Sequence, residues 1–264
     1  LRRALWPAGY PFWSDLWIRS SWRVQRRGGE YRLVDPTNRI VHAGARGDCI
    51  QVGRGLAPPA GRSRGVILLH GLAHWRRTLW RLGDRLESCG WAVADAGYAS
   101  VTEPFEQHVR SVRAIAEGLV EDGAVSVSVV GHSLGGLIGR VAMAGDWPAG
   151  KLVQLGSPNQ GSVVAERLAP FGLYRRIFGP CGQLLVPMRV ASLPVPDCPI
   201  LIVAGGTGGI GFNPLLTGDN DGTVRVAETR LDAAQVTYQT VFSPHALLPH
   251  HRAAQTAAVD FLGP

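Results

Sequence analysis

The chain has 264 residues, 45% of them hydrophobic and 18% charged, which suits one globular α/β domain with a short extension and excludes a disordered or fibrous chain. No apolar run approaches the ~18–20 residues that a membrane-spanning helix needs, and no continuous apolar leader is visible. The formal charge of +7 lies wholly in residues 1–64, where twelve arginines face only Asp15, Glu30, Asp35 and Asp48. Nothing like a nucleic-acid-binding module accompanies that excess, so nucleic acid is not an expected partner. The sequence starts at Leu1, which leaves room for an upstream segment. Location is accordingly open between the bacterial cytoplasm and a peripheral membrane position.

The first twenty-two residues hold Trp6, Trp13, Trp17 and Trp22, half of the eight tryptophans, together with Tyr10 and Phe12. Indole rings favour a bilayer interface, where the ring is apolar and the N–H wet, and nearby arginines are drawn to anionic lipid. Residues 1–27 are therefore a candidate for peripheral membrane contact. The competing expectation is that these rings pack on the protein's own sheet. Next, Trp22, Val24, Tyr31, Leu33, Ile40, Ile50 and Val52 interleave with polar residues, and Asp35-Pro-Thr-Asn reads as a hairpin turn. This pattern predicts two to four antiparallel strands extending the main sheet, followed by a linker over residues 55–65.

From residue 66 onward strands and helices alternate. Strands are predicted at 66–70, 91–98, 125–130, 151–156, 199–204 and 236–242. Helices are predicted at 74–89, at 104–119 with proline in the first turn, after residue 136, and at the C-terminus through Ala253, Ala257, Val259, Phe261 and Leu262. The rhythm implies a mostly parallel sheet covered on both faces. Residues 158–198 interrupt it as an insertion with an apolar face of Val163, Val164, Leu168, Phe171, Leu173, Ile177 and Phe178. Cys49, Cys89, Cys181 and Cys198 lack metal-ligand spacing. Cys181 and Cys198 read equally as a local disulfide or as small buried hydrophobes.

Gly131-His-Ser-Leu-Gly-Gly136 lies between the strand at 125–130 and the following helix. A serine in Gly-x-Ser-x-Gly at such a turn is held in a strained conformation that lifts its Oγ clear of the sheet, and the glycines allow the tight approach. A serine hydroxyl needs a base and an orienting acid to act as a nucleophile near neutral pH. Downstream, each just after a predicted strand, stand Gly218-Asp-Asn-Asp-Gly-Thr-Val224 and Ser243-Pro-His-Ala-Leu-Leu248. Asp219 and Asp221 both compete as the acid. Among the histidines, His245 occupies the loop between strand and helix, whereas His250 and His251 open the C-terminal helix. Asp-x-Asp-Gly also resembles the start of a calcium loop, but no glutamate stands at the required distance, so no metal is expected.

Together with Leu68-Leu-His-Gly-Leu72 and Gly156-Ser-Pro-Asn-Gln-Gly-Ser162, these segments make roughly residues 65–264 resemble an α/β-hydrolase of the bacterial triacylglycerol lipase and esterase type. The chain is also similar to deacylases acting on glycosylphosphatidylinositol lipids. Residues 1–64 lie outside that shared core. The resemblance implies an α/β-hydrolase fold whose insertion is a cap. It implies Ser133 as nucleophile, Asp221 as acid and His245 as base, with an oxyanion hole from the backbone N–H groups of Leu72 and Leu134. His74, Trp75 and Pro158 are further candidates for contact with the substrate, and the resemblance implies hydrolysis of a small-molecule or lipid ester without a cofactor. The same residues would serve an acyltransferase or thioesterase, and a non-catalytic binding protein on this scaffold is a third reading.

Overall fold

The structure, a computed structural model, describes residues 12–263, so Trp6 and Tyr10 lie outside it. Four short strands come first: β1 (Ser14–Arg19), β2 (Trp22–Arg27), β3 (Glu30–Val34) and β4 (Ile40–Gly44). Ser20 and Ser21 both adopt positive φ, the geometry that lets a two-residue turn follow strand twist. Beyond β3, Asp35 Oδ1 accepts bonds from the Thr37 and Arg39 amides and fixes the expected turn. The strands pair antiparallel in the order β1-β2-β3-β4 as a sheet of their own; they do not extend the main sheet.

Ile50 and Val52 depart from the expected strand and lie in α1 (Arg46–Leu56). The helix buries Cys49 and Gly53, one turn apart, and these small residues let Trp17 lie against it. A Cβ at Gly53 would come within 2.8 Å of the Trp17 ring, and one at Gly118 within 3.1 Å. Trp17, Val24, Leu33, Cys49 and Ala57 thus form a small core between the sheet, α1 and the body of the protein.

The body opens with β5 (Arg64–Leu69), then α2 (Trp80–Ser88), β6 (Ala92–Ala96), α3 (Phe105–Glu121), β7 (Ser126–His132), α4 (Leu134–Ala142) and β8 (Leu152–Leu155). Three cap helices follow, α5 (Val163–Leu168), α6 (Gly172–Leu184) and α7 (Pro187–Ala191), then β9 (Ile200–Gly206), β10 (Val236–Phe242) and α8 (Arg252–Leu262). All six strands of the second sheet run parallel, in the order β10-β9-β8-β7-β5-β6. Val66 and Leu68 of β5 point into the layer under α2 and α8, Ile67 and Leu69 into the layer under α3 and α4. A strand buried on both faces must be apolar at every position, which is why β5 shows no alternation.

The four-stranded sheet docks on α3 and the end of β6 through Trp17 and Ile18 and through polar groups. Arg26 pairs with Glu103 at 2.8 Å, Ser14 Oγ donates to the same carboxylate at 2.6 Å, and Arg19 pairs with Asp122. The arginine excess of the first 64 residues therefore meets acids of the body. Trp13 and Trp17 are buried, with the Arg27 and Arg32 guanidiniums over the Trp13 ring.

The cap packs inward through Ala165, Cys181, Leu185 and Val190. The apolar face read from the sequence points the other way in part: Leu168, Phe171, Leu173 and Ile177 are exposed. Gly179-Pro180 breaks α6 into two pieces because Gly179, at positive φ, sits directly on the Val101 carbonyl. All four cysteines are free, and burial pushes the Cys181 thiol up to about 12 and that of Cys198 up to about 11. Among the described residues no helix is long and apolar enough to cross a membrane.

Candidate active site

The chain order reverses between β5 and β7, and the crevice beyond the carboxyl ends of strands at such a point is where open parallel sheets accommodate ligands. Five loops converge there. After β7, Ser133 takes φ 53° and ψ −120°, a conformation that costs a non-glycine residue ~1–3 kcal/mol and persists only when its surroundings impose it. They do so here. A Cβ at Gly131 would overlap the Gly135–Gly136 peptide, and one at Gly135 would overlap the Leu69 and His70 carbonyls. The Ser133 N–H donates to Leu155 O at 2.8 Å, tying the elbow to the end of β8.

The next residue, Gly156, lies under the acid and the base. Its positive φ and missing side chain admit Asp221 and His245, whose Oδ2 and Nδ1 would lie 3.3 and 3.2 Å from a Cβ there. His245 Nδ1 and Asp221 Oδ2 are 2.6 Å apart, and the His245 N–H donates to Asp221 O at 2.8 Å. With Nδ1–H given to the carboxylate, Nε2 carries the lone pair. The other carboxylate oxygen accepts from the Thr223 and Val224 amides at 3.0 and 2.7 Å.

Asp219 is brought to a different task. It accepts from the Thr207 and Gly208 amides and from the Thr207 hydroxyl, closing the loop after β9. Burial alone would raise its pKa, but these bonds outweigh it and hold the carboxyl below its usual value. His250 stands at the end of the turn that begins at His245, and His251 caps α8.

Leu134 is the first residue of α4, and the first N–H groups of a helix have no intrahelical acceptor. Leu72 follows β5 in a turn whose neighbouring amides are engaged: Ala73 N–H donates to Ser100 Oγ at 3.1 Å and His74 N–H to Gly71 O at 3.2 Å. Among the described residues the Leu72 N–H makes no such bond.

The rings of His70 and His132, which flank the two glycine turns, are both hydrogen-bonded. His70 Nδ1–H donates to Gly71 O at 2.8 Å, its Nε2 accepts from the Tyr98 N–H at 3.3 Å, and Tyr98 stacks on it at 3.9 Å. Burial lowers its pKa to about 3, so it stays neutral with one tautomer fixed. His132 Nε2–H donates to His245 O at 3.1 Å, and burial, then the neighbouring His245, keeps it well below the ordinary value.

His74 and Trp75 line a cleft of about 310 Å³ with Arg77, Thr78, Trp80, Ala246 and His250. Burial and then the neighbouring His245 lower the His74 pKa. Pro158 is buried in the loop after β8 and does not line that cleft.

A polar cluster behind the elbow escaped the sequence reading. Gln154 Nε2 donates to Gly136 O at 2.9 Å, and Asn159 Nδ2 donates to Gln154 Oε1 at 2.6 Å and Thr229 O at 3.0 Å. Arg140 donates to Asn159 Oδ1 and to the cap carbonyls of Leu193 and Pro194, and burial lowers its pKa to about 10. The signal was an arginine inside the apolar run of α4, a residue rarely buried without partners.

No protein-family model and no curated protein sequence matches the chain. Solved structures do. The mature form of the lipase BlEst2 from Bacillus licheniformis superposes with a TM-score of 0.62 at 17% identity, covering 78% of this chain and 94% of that one. The esterase Pf2001 from Pyrococcus furiosus gives 0.53 at 13% identity, covering 95% and 91%. The product of the gene lin2722 from Listeria innocua gives 0.50 at 17% identity, covering 76% and 94%. At such identities the likeness is one of fold. The chain has the α/β-hydrolase fold, which it shares with the lipase BlEst2 and the esterase Pf2001.

Proposed function

We propose that the protein is a serine hydrolase of carboxylic esters, an esterase or lipase working through an acyl-enzyme. The observation that carries this reading is the 2.6 Å bond between His245 Nδ1 and Asp221 Oδ2, together with the strained backbone of Ser133 at the elbow. His245 Nε2 takes the Ser133 proton as Oγ attacks the ester carbonyl, and Asp221 stabilises the imidazolium that forms. The Leu72 and Leu134 N–H groups stabilise the tetrahedral oxyanion, each such donor being worth ~3–4 kcal/mol. The imidazolium then protonates the leaving alcohol, and water repeats the sequence to release the acid.

The substrate in this reading is a small ester with an apolar acyl group. The cleft, at about 310 Å³, is at the small end of ligand sites, and the exposed Trp75 and Trp80 border it. Among the described residues of the segment 1–27, Phe12 and Arg27 are exposed and available to a membrane surface, whereas Trp13 and Trp17 are buried.

A fluorophosphonate is expected to modify Ser133, and Ser133→Ala to lower hydrolysis of p-nitrophenyl esters by about 10³-fold or more with the fold intact. Labelling at Ser157 or Ser162, or unchanged turnover in the variant, overturns the reading.

A further inference from the structure

The N-terminal sheet is outside the parallel core, yet its first strand grips the segment on which the oxyanion turn rests. Asp15 and Gly97 exchange two bonds: Asp15 N–H to Gly97 O at 2.8 Å, and Gly97 N–H to Asp15 Oδ2 at 2.7 Å. Ser14 Oγ accepts from the Ala99 N–H at 3.0 Å while donating to Glu103. Between those two grips stands Tyr98, whose N–H reaches His70 Nε2 and whose hydroxyl donates to the His70 carbonyl. Two residues beyond Tyr98, Ser100 Oγ accepts from the Ala73 N–H, and Ala73 holds a positive φ of 56°. His70 and Ala73 bracket Gly71 and Leu72. The contacts thus run without a gap from β1 through residues 97–100 to both sides of the Leu72 amide.

These groups are buried and directional. Ser14 and Asp15 are almost inaccessible to water, as are Tyr98 and Ser100. Asp15 Oδ1 is itself held by Gln25 Nε2 at 2.9 Å, with the buried Arg23 at 3.8 Å, so the carboxylate cannot swing away. An ionised acceptor gives a stronger bond than a neutral one. Apolar packing of β1 alone would not dictate where the 97–100 backbone sits to within a fraction of an ångström.

We propose that Asp15 and Ser14 are positioning residues for ester hydrolysis, through which the N-terminal sheet sets the direction of the Leu72 N–H towards the oxyanion. The inference rests on the esterase reading given above. A donor aimed at charge that develops only in the transition state raises kcat, not substrate affinity. Loosening it therefore lowers kcat and weakens binding of an oxyanion mimic, while KM holds.

The full chain is compared with Asp15→Ala, Asp15→Asn, Ser14→Ala and Ser100→Ala on a soluble p-nitrophenyl ester, well below each variant's Tm. An alkyl trifluoromethyl ketone, which adds the serine oxygen to its carbonyl and leaves an oxyanion, supplies the second readout. Active sites are counted with a fluorophosphonate. Asp15→Ala, Ser14→Ala and Ser100→Ala are expected to lower kcat by about tenfold, with KM within about twofold and ketone affinity falling in step with kcat. Asp15→Asn is expected to recover most of kcat, because its amide oxygen still accepts the Gly97 N–H, although its NH2 then faces the Gln25 Nε2 donor, Arg23 loses its counter-charge and Tm drops. Wild-type kcat and ketone affinity in Ser14→Ala and Asp15→Ala, with only Tm lowered, overturn the proposal. If Asp15→Ala does not fold, wild-type kcat in Ser14→Ala overturns it equally. A wild-type chain that neither hydrolyses esters nor takes the label removes the esterase reading itself, and this inference with it.

Discussion

In the parallel core Val66, Ile67, Leu68 and Leu69 are all fully buried and alternate between two apolar layers, whereas the antiparallel sheet meets that core through Ser14, Asp15, Arg19 and Arg26 beside the apolar Trp17 and Ile18. Apolar burial is non-directional and scales with area, so it drives the core together without naming a partner. Hydrogen-bonded charge is directional, and a half-satisfied pair is worse than none. The two regions therefore fail differently. The core loses stability when its packing is filled or emptied. The sheet loses its place when one partner is removed.

The most severe break is expected in the core. Gly131→Ala puts a methyl into the Gly135–Gly136 peptide, where backbone stands on both sides and cannot yield. No soluble native protein is expected, read as absent near-ultraviolet circular dichroism in whatever is recovered; a cooperative unfolding transition in this variant would mean that the elbow is softer than its geometry implies.

On the other side, Glu103→Gln removes the carboxylate shared by Ser14 and Arg26 and leaves the Arg26 charge largely buried without its partner. A loss of about 3 kcal/mol in urea unfolding is expected. An early separate transition would sharpen the comparison, because it would show the sheet detaching while the core holds. A loss near zero would break it.

Acid probes the core through its buried imidazoles. Burial lowers His70 to about 3 and His108 to about 4, and His132 lies well below its ordinary 6.5. The unfolded chain binds protons near pH 6.5 that the native one refuses. The stability these groups contribute is thus complete above about pH 6.5 and is lost as pH falls towards their native values, each adding a slope of about 1.4 kcal/mol per pH unit. His108→Phe should flatten the dependence of the urea midpoint by one proton between pH 6 and 5; an unchanged slope would mean that His108 charges without unfolding.

The smallest effect is expected at the exposed Arg27–Glu30 pair. Glu30→Ala should change stability by no more than about 0.5 kcal/mol, because solvent screens the pair. A larger loss would extend the polar docking logic to the surface of the sheet.

The core was legible because each of its signals is local. Continuous apolar runs marked β5 and β9, valines spaced by serines marked β7, and the glycines of the elbow carry their own steric reason. The place of the antiparallel sheet was not, since Arg19 and Asp122 are 103 residues apart and Arg26 and Glu103 are 77 apart. No pattern along the chain joins them. Ile50 and Val52 were misread because α1 turns a cysteine and a glycine inward, residues that hydrophobic periodicity weighs lightly. Asp219 and Asp221 stand two residues apart in similar company, and hydrogen bonds formed only in the fold separate them: one closes a loop, the other meets His245. The cap misled in the opposite sense, because an apolar stripe states that something is to be covered and not what covers it.

Trp17 sits between Gly53 and Gly118, in contact with both the antiparallel sheet's helix and α3, and its indole Nε1 is buried with no hydrogen-bond partner among the described residues. The excited state of an indole relaxes by reorienting water, and a dry ring with an unbonded N–H emits at the blue end of the tryptophan range. Trp91 and Trp147, whose N–H groups donate to the Gly263 and Val127 carbonyls, lack that combination. Departure of the sheet from α3 would wet Trp17 and shift its emission to the red while Trp91 and Trp147, in the body, stayed as they were. The protein thus carries, at the seam between its two regions, an intrinsic fluorophore that reports whether the seam is closed.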